Sequence, residues 1–287
     1  MNLEGSTMED HPSLQARHAK FERYLLVERG MAKTTARMRS TIVRKCLRDW
    51  GTLNPTIEQV RMLKEDMLIQ GYVKDYVANV VVALRHYGEY MGEDLAVKPP
   101  AQEKKKVPRF LSEEEVQSIL FVIDSTRDQA LFSVLAYTGL RCQELCNLKR
   151  HEMDFEKKTV TVQHGKGGRS DEVPIGGPAL EATARYLRTG VPNEASPYLF
   201  HAPDGTALST NRVRVLTRKY ARQAGIRKSV SPHMFRHALA TNLLSKGCPL
   251  PFVQRQLRHS RIETTMRYLH LSDKALRDNY ERFMPEY

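Results

Sequence analysis

Ser231-Pro-His-Met-Phe-Arg-His-Ala-Leu-Ala-Thr241 and its continuation Leu257-Arg-His-Ser-Arg-Ile-Glu-Thr-Thr-Met-Arg-Tyr-Leu-His270 decide how the rest of the chain reads. The first stretch has the marks of a helix start. Ser231 stands where a cap belongs, Pro232 suits the first helical position, and Gly247 can close the far end. His233 and Arg236 are three residues apart, which makes them neighbours on one helical face. Phe235, Leu239 and Leu243 recur at four-residue steps and predict a buried stripe. A histidine and a guanidinium beside a helix N-terminus form a surface suited to phosphate. His259 and an isolated Tyr268 follow. That assortment points to chemistry at a phosphodiester with tyrosine as nucleophile.

The bulk composition agrees. A chain of 287 residues has room for two domains with real cores. Lys+Arg 45 against Asp+Glu 33 leaves a net charge of +12, which favours nucleic acid or an anionic membrane surface as partner. No apolar run approaches the roughly 18 residues of a membrane span. Met1 to His11 is polar and acidic and lacks the basic-then-apolar pattern of a signal peptide. Nucleic acid therefore leads, no membrane is expected, and the expected location is cytoplasmic, with the nucleoid. The four cysteines are Cys46, Cys142, Cys146 and Cys248. A lone Cys-x3-Cys pair is weak evidence for metal, so free, buried or half-buried thiols in a reducing compartment are expected.

Working outward, residues 12–29, a span from Thr34 or Thr35 toward Trp50, a span from Thr56 to about Leu68, and Lys74 to Met91 read as four helices. The second turns Ile42, Val43, Cys46, Leu47 and Trp50 inward and carries Arg37, Arg39, Arg44, Lys45 and Arg48 on its other face. The fourth has Tyr76, Val77, Val80, Val81, Leu84 and Tyr87 as core candidates. Val97-Lys-Pro-Pro-Ala-Gln-Glu-Lys-Lys-Lys-Val-Pro108 reads as an extended linker, since prolines and a lysine run hinder helix and strand. The predicted layout is a helical domain at 1–97, a linker at 98–108 and a second domain at 109–287. The second domain opens on a capping box, Ser112 with Glu115. Helices follow to about Asp124, over Arg127–Tyr137 and from Leu140. The period then changes to two in Thr159-Val-Thr-Val and Glu172-Val-Pro-Ile, with Met153-Asp-Phe as a third short strand. Helices resume near Pro178–Leu187 and Ser209–Ala224, the latter bearing Arg212, Arg214, Arg218, Lys219 and Arg222. The fold class is mainly α with a small antiparallel β-sheet.

Taken singly, each candidate has an ordinary explanation. Arg141 opens a helix and has Glu144 three residues on as an ion-pair partner. Together with Arg236 it could instead hold two oxygens of one phosphate through forked hydrogen bonds. Lys166 lies in Gly165-Lys-Gly-Gly, which lacks the spacing of a Walker phosphate loop and reads as a solvated hairpin tip. A flexible tip can also deliver an ammonium to a leaving oxygen. The default for His233, His237 and His259 is a buried, hydrogen-bonded histidine. No metal is expected. Tyr268 is one of twelve tyrosines, most of which belong to cores and rims.

The ordered set is more informative than its members. Thr138-Gly-Leu-Arg-Cys-Gln-Glu-Leu145, the Lys166 turn, His233-Met-Phe-Arg-His237, Leu257-Arg-His-Ser260 and Tyr268-Leu-His270 resemble, in this order, the tyrosine recombinases of the phage integrase family. The compact two-domain length looks most like the Xer-type members. Arg258 departs from that family's pattern, which has glycine there. The resemblance implies an N-terminal core-binding (SAM-like) DNA clamp and a C-terminal α+β catalytic domain. It implies Arg141, Lys166, His233, Arg236, His259 and Tyr268 as catalytic residues, with Glu144 in support. Arg37, Arg44, Lys45, Arg48, Arg212, Arg214 and Arg218 are then candidate DNA contacts.

The implied reaction is strand cleavage and rejoining through a 3′-phosphotyrosyl bond and a Holliday junction, needing no cofactor, ATP or metal. The implied partner is double-stranded DNA with a specific recombination site. The assembly would be a homotetramer, or a heterotetramer with a related recombinase, on two duplexes. A last helix over 272–287 would dock on a neighbouring subunit. A type IB topoisomerase, or a DNA-binding protein without catalysis, would share parts of this pattern.

Overall fold

The computed structural model describes residues 12–101, 110–163, 170–189, 195–259, 262–266 and 268. The chain divides into two compact units, Met1–Lys106 and Val107–Tyr287.

The first unit holds four helices, α1 (Pro12–Val27), α2 (Lys33–Trp50), α3 (Ile57–Ile69) and α4 (Lys74–Met91). Their shared core is built on Phe21, Leu25, Val43, Leu47, Leu84 and Tyr87. Phe21 meets Tyr87 edge-on with centroids 5.2 Å apart, and the Tyr87 hydroxyl donates to the Leu53 carbonyl at 2.8 Å. An aromatic pair with its one polar atom satisfied is a strong local anchor. The expected cap at Thr34 or Thr35 is not used. Helix α2 begins earlier, with Ala32 at the cap and no side-chain bond, so both threonines lie inside the first turn. Thr56 and Gln59 form a reciprocal capping box on α3.

Two residues depart from expectation here. Arg39 is not on the exposed basic face: it falls on the inward stripe with Ala36, Ser40 and Val43. Its Nη1 contacts His86 at 3.3 Å and the Met31 sulfur at 3.1 Å. Tyr76 is exposed rather than core, because it precedes the buried Val77 in the first turn of α4; it stacks on Tyr72 at 5.9 Å. Arg37, Arg44 and Lys45 are exposed, and Arg48 is half-buried and bound to the Asp49 carboxylate at 3.0 Å.

The second unit contains α5 (Glu113–Phe121), α6 (Thr126–Thr138), α7 (Cys142–Asn147), strands β1 (Met153–Asp154), β2 (Thr159–Gln163) and β3 (Ser170–Pro174), then α8 (Gly177–Arg188), α9 (Thr210–Gln223), α10 (Pro232–Ser245), α11 (Leu250–Leu257) and α12 (Ile262–Met266). The Ser112–Glu115 capping box forms as expected. Helix α6 is buried on nearly every side, as expected of a helix apolar around its whole circumference. It packs between α8 and α10, and Phe132 meets Tyr220 at 5.5 Å and Phe235 at 5.7 Å. The sheet is antiparallel in the order β1-β2-β3, with Met153 opposite Val160 and Val160 opposite Val173. Alternation puts Val160, Val162 and Val173 inward. Mainly α with a small antiparallel sheet is thus the observed class. Most of the linker, the Lys166 tip and the segment 272–287 lie outside the described residues.

In α10 the stripe is rotated from the expected one. Met234, Phe235, Ala238, Thr241 and Leu244 are buried, while Leu239 and Leu243 are half-buried. Ser231 occupies the cap position without a side-chain bond. Gly247, at φ +82°, follows the helix end, and Cys248 N–H returns to the Leu243 carbonyl at 2.9 Å. Among the described residues no helix is long and apolar enough to cross a membrane.

Candidate active site

The site grows from two chain turns brought together by one side chain. Helix α6 ends at Gly139, whose φ of +65° is the left-handed conformation that glycine takes without strain. A Cβ there would also lie 2.7 Å from Leu257 Cδ2, so the turn needs glycine on two counts. The turn delivers Arg141 as the cap residue of α7. Glu144 answers from the next turn: Oε2 accepts the Arg141 backbone N–H at 2.7 Å and Oε1 accepts Nη1 at 2.7 Å. The Arg141 side chain is 43% exposed, so its charge is held by Glu144 yet open to solvent.

Arg236, on α10, is 4% exposed. Its Nη1 donates to the Gly139 carbonyl at 2.5 Å and its Nη2 to the Leu257 carbonyl. One guanidinium therefore staples the turn before Arg141 to the turn before His259. Burial, with Arg141 and Arg258 nearby, lowers its pKa to about 10, which leaves it cationic at neutral pH. Gln256 reinforces the joint, donating to the Thr138 carbonyl at 3.2 Å and the Pro174 carbonyl at 3.1 Å.

Helix α11 ends at Arg258, a non-glycine residue at φ 52° and ψ 48°. The position keeps the left-handed geometry that glycine takes freely; for an L-residue this costs roughly 1–2 kcal/mol. His259 follows, its Nδ1 2.8 Å from the Thr265 hydroxyl and its carbonyl accepting from Gln254 at 3.1 Å. With Nδ1 engaged, Nε2 is the nitrogen left to meet a substrate oxygen. Burial first, then Arg236, Arg141, His237 and Arg258, pulls its pKa down to about 4. It is neutral at pH 7.

Tyr268 is 3% exposed and packs with Ala240, Leu244, Val253 and Leu257. Its hydroxyl meets Nδ1 of His237, with ring centroids 5.6 Å apart. The sequence resemblance places His233 among the catalytic residues and leaves His237 unassigned. The two are four apart on one helix, and only the course of α11 and α12 decides which ring Tyr268 reaches. His233 stands exposed; partial burial and then Arg236, Arg214 and Arg141 hold its pKa below the ordinary value. Arg214, expected as a DNA contact on α9, thus lies in the field of the site. Arg212 and Arg218 are exposed on the same helix. Lys166 lies outside the described residues. Cys142 and Cys146 are buried free thiols, and Cys46 and Cys248 are half-buried. No metal-binding group of three or more His, Cys, Asp or Glu occurs among the described residues.

These shifts give a stability prediction. Folded His259 takes up its proton near pH 4, whereas an unfolded histidine does so near 6.5. The folded state therefore binds fewer protons between these values, and stability present above 6.5 is lost as pH falls toward 4. The thermal midpoint should drop over that window. His259→Gln should shallow the slope without removing it, because His18, His86 and His233 are shifted the same way. An unchanged slope in that variant would count against a buried neutral His259.

Residues 109–275 match the family described as "Phage integrase family". The chain is 37% identical to a tyrosine recombinase XerA of Thermococcus onnurineus over 92% of this chain and 93% of that protein. It is 32% identical to a tyrosine recombinase XerC of Bacillus pumilus over 79% of this chain and 81% of that protein. Among solved structures, a XerA recombinase crystal structure superposes with a TM-score of 0.57 at 29% identity, covering 96% of this chain and all of the other. A XerH recombinase bound to its difH substrate shares the fold, with a TM-score of 0.69 at 20% identity over 90% of this chain and 84% of that one. Fold and relatives alike are those of enzymes that break and rejoin DNA strands. The chain belongs to the phage integrase family of tyrosine recombinases.

Proposed function

We propose that this recombinase opens one DNA strand by attack of the Tyr268 hydroxyl on phosphorus, forming a 3′-phosphotyrosyl bond as the bond to the 5′ oxygen breaks. A 5′ hydroxyl of a partner strand then displaces the tyrosine, and two rounds pass through a Holliday junction. The ester energy is conserved, so the reaction consumes no nucleotide. Arg141 and Arg236 neutralise charge building on the non-bridging oxygens, and His259 donates through Nε2. A free phenol has a pKa of about 10, so Tyr268 needs cations and a base. His233, neutral at pH 7 and exposed, is the base candidate, and His237 holds the hydroxyl before DNA arrives. Lys166 protonates the leaving oxygen. Glu144 orients Arg141.

The observation that supports this reading most is the Arg236 staple, which ties the turns of Arg141 and His259 around one buried cation. The N-terminal unit acts as a DNA-gripping domain through Arg37, Arg44, Lys45 and Arg48, and Arg212, Arg214 and Arg218 grip from α9. Recombination joins four subunits on two duplexes, with 272–287 docking on a neighbour. The work is cytoplasmic, on the nucleoid.

A nicked suicide duplex carrying the native site tests it. Loss of the short fragment past the nick should trap a covalent protein–DNA band that survives denaturant and disappears with protease. A mere gel shift with no covalent band would sink catalysis. Rapid relaxation of any supercoiled plasmid, whatever its sequence, would mark a topoisomerase instead.

A further inference from the structure

Arg258 carries two unfavourable features at once. Its backbone is left-handed without being glycine. Its side chain is 4% exposed, and its buried Nε has no hydrogen-bond partner among the described residues. Buried cations with incomplete bonding are poor contributors to stability, and strain tolerated at a site points to a role there. The guanidinium makes one strong contact: Nη2 donates to Glu144 Oε2, from a residue 114 positions away in the chain. The same Oε2 accepts the Arg141 backbone N–H, and Arg141 Nη2 donates to the Arg258 carbonyl at 3.4 Å. Arg141, Glu144 and Arg258 thus form a closed ring of contacts, two guanidiniums sharing one carboxylate.

We propose that Arg258 is a positioning residue for strand cleavage: it pins the Glu144 carboxylate from behind, which fixes the direction of the Arg141 guanidinium and locks α7 to the turn that carries His259. This role rests on the recombinase reading above. The chemistry supports it in two ways. Arg141 alone would hold Glu144 by a contact between neighbours in one turn of a six-residue helix, which frays easily. A second cation, at the end of α11, makes the carboxylate a bridge between two elements, and charge-assisted hydrogen bonds to both of its oxygens fix its orientation as well as its distance. The charge of Arg258 also helps keep Glu144 ionised and His259 neutral. Glycine at 258 would give the same backbone and none of this.

The test is a double-mutant cycle on the full-length protein, using single-turnover trapping on the suicide duplex. R258G should keep DNA affinity within about threefold, since binding is spread over many phosphates. Its cleavage rate should fall on the order of 10- to 100-fold, the usual effect of removing a group that orients a reacting one. R258K keeps the charge on a shorter side chain without the planar guanidinium and should fall between R258G and wild type. E144Q should be slowed similarly, and R258G/E144Q should be no more than about threefold slower than E144Q alone, because both changes break the same contact. Losses that multiply would overturn the proposal and make Arg258 an independent contact. Wild-type cleavage by both R258G and R258K would overturn it as well. If R258G fails to fold, R258K carries the same cycle. Should wild-type protein trap no DNA, the recombinase reading fails on its own account. The cycle is then read from thermal midpoints, where additive effects at 144 and 258 would overturn the bridge.

Discussion

Tyr268→Phe is expected to abolish the covalent protein–DNA complex while leaving the protein folded and able to bind DNA. Phenylalanine removes the single atom that would join phosphorus, and removing a nucleophile costs on the order of 10⁴-fold or more in rate. The fold should tolerate the change. The ring sits among Ala240, Leu244, Val253 and Leu257, which hold a phenyl as well as a phenol. What is lost is one hydrogen bond to His237, worth about 1 kcal/mol. DNA affinity comes from many phosphate contacts and should change less than about threefold. The measurement is the denaturant-resistant band on the suicide duplex beside a gel shift of the same samples. An undiminished covalent band in this variant would remove Tyr268 from the mechanism and pass the role to another tyrosine.

Arg236→Ala should be nearly as damaging, with a different signature. Cleavage should fall on the order of 10³-fold or more, the scale seen when a guanidinium that neutralises a transferring phosphoryl group is removed. The structure adds a second effect that spacing alone does not foresee. Arg236 also bonds the Gly139 and Leu257 carbonyls, and a buried carbonyl left without a donor costs about 1–3 kcal/mol. The thermal midpoint should therefore drop, on the order of 5 °C or more. Arg236→Lys keeps a cation but cannot reach both carbonyls with a fixed fork, so it should recover part of the stability and little of the rate. The alanine variant cleaving at the wild-type rate would make Arg236 a structural staple only. A large loss of DNA binding in step with cleavage would make it an ordinary backbone contact.

Helices were the most legible part of the sequence, because periodicity, capping boxes and glycine stops are local. Ser112 with Glu115 appears where spacing put it, and α6 spans the expected Arg127–Tyr137 with one more residue at each end. Errors arose where a helix face is chosen by distant partners. Arg39 turns inward because His86 from α4 waits there, and the α10 stripe differs because Met234 and Ala238 join Phe235 in the main apolar cluster while Leu239 and Leu243 only edge a smaller one. The small sheet was legible from its alternation, which a five-residue strand carries within itself.

Composition, the order of motifs and residue spacing were enough by themselves to determine a basic chain, its mainly helical class and its family. Each of these depends on local chemistry or on the order of residues along the chain. Contacts over long separations were decided only by tertiary structure. It put His237 against Tyr268, turned Arg236 into a staple between two turns, and brought Arg258 onto Glu144 across 114 residues. The physical reason is that a side chain's partner is set by how helices pack. Packing sums many weak apolar contacts over the whole unit, so no stretch of sequence taken alone encodes it.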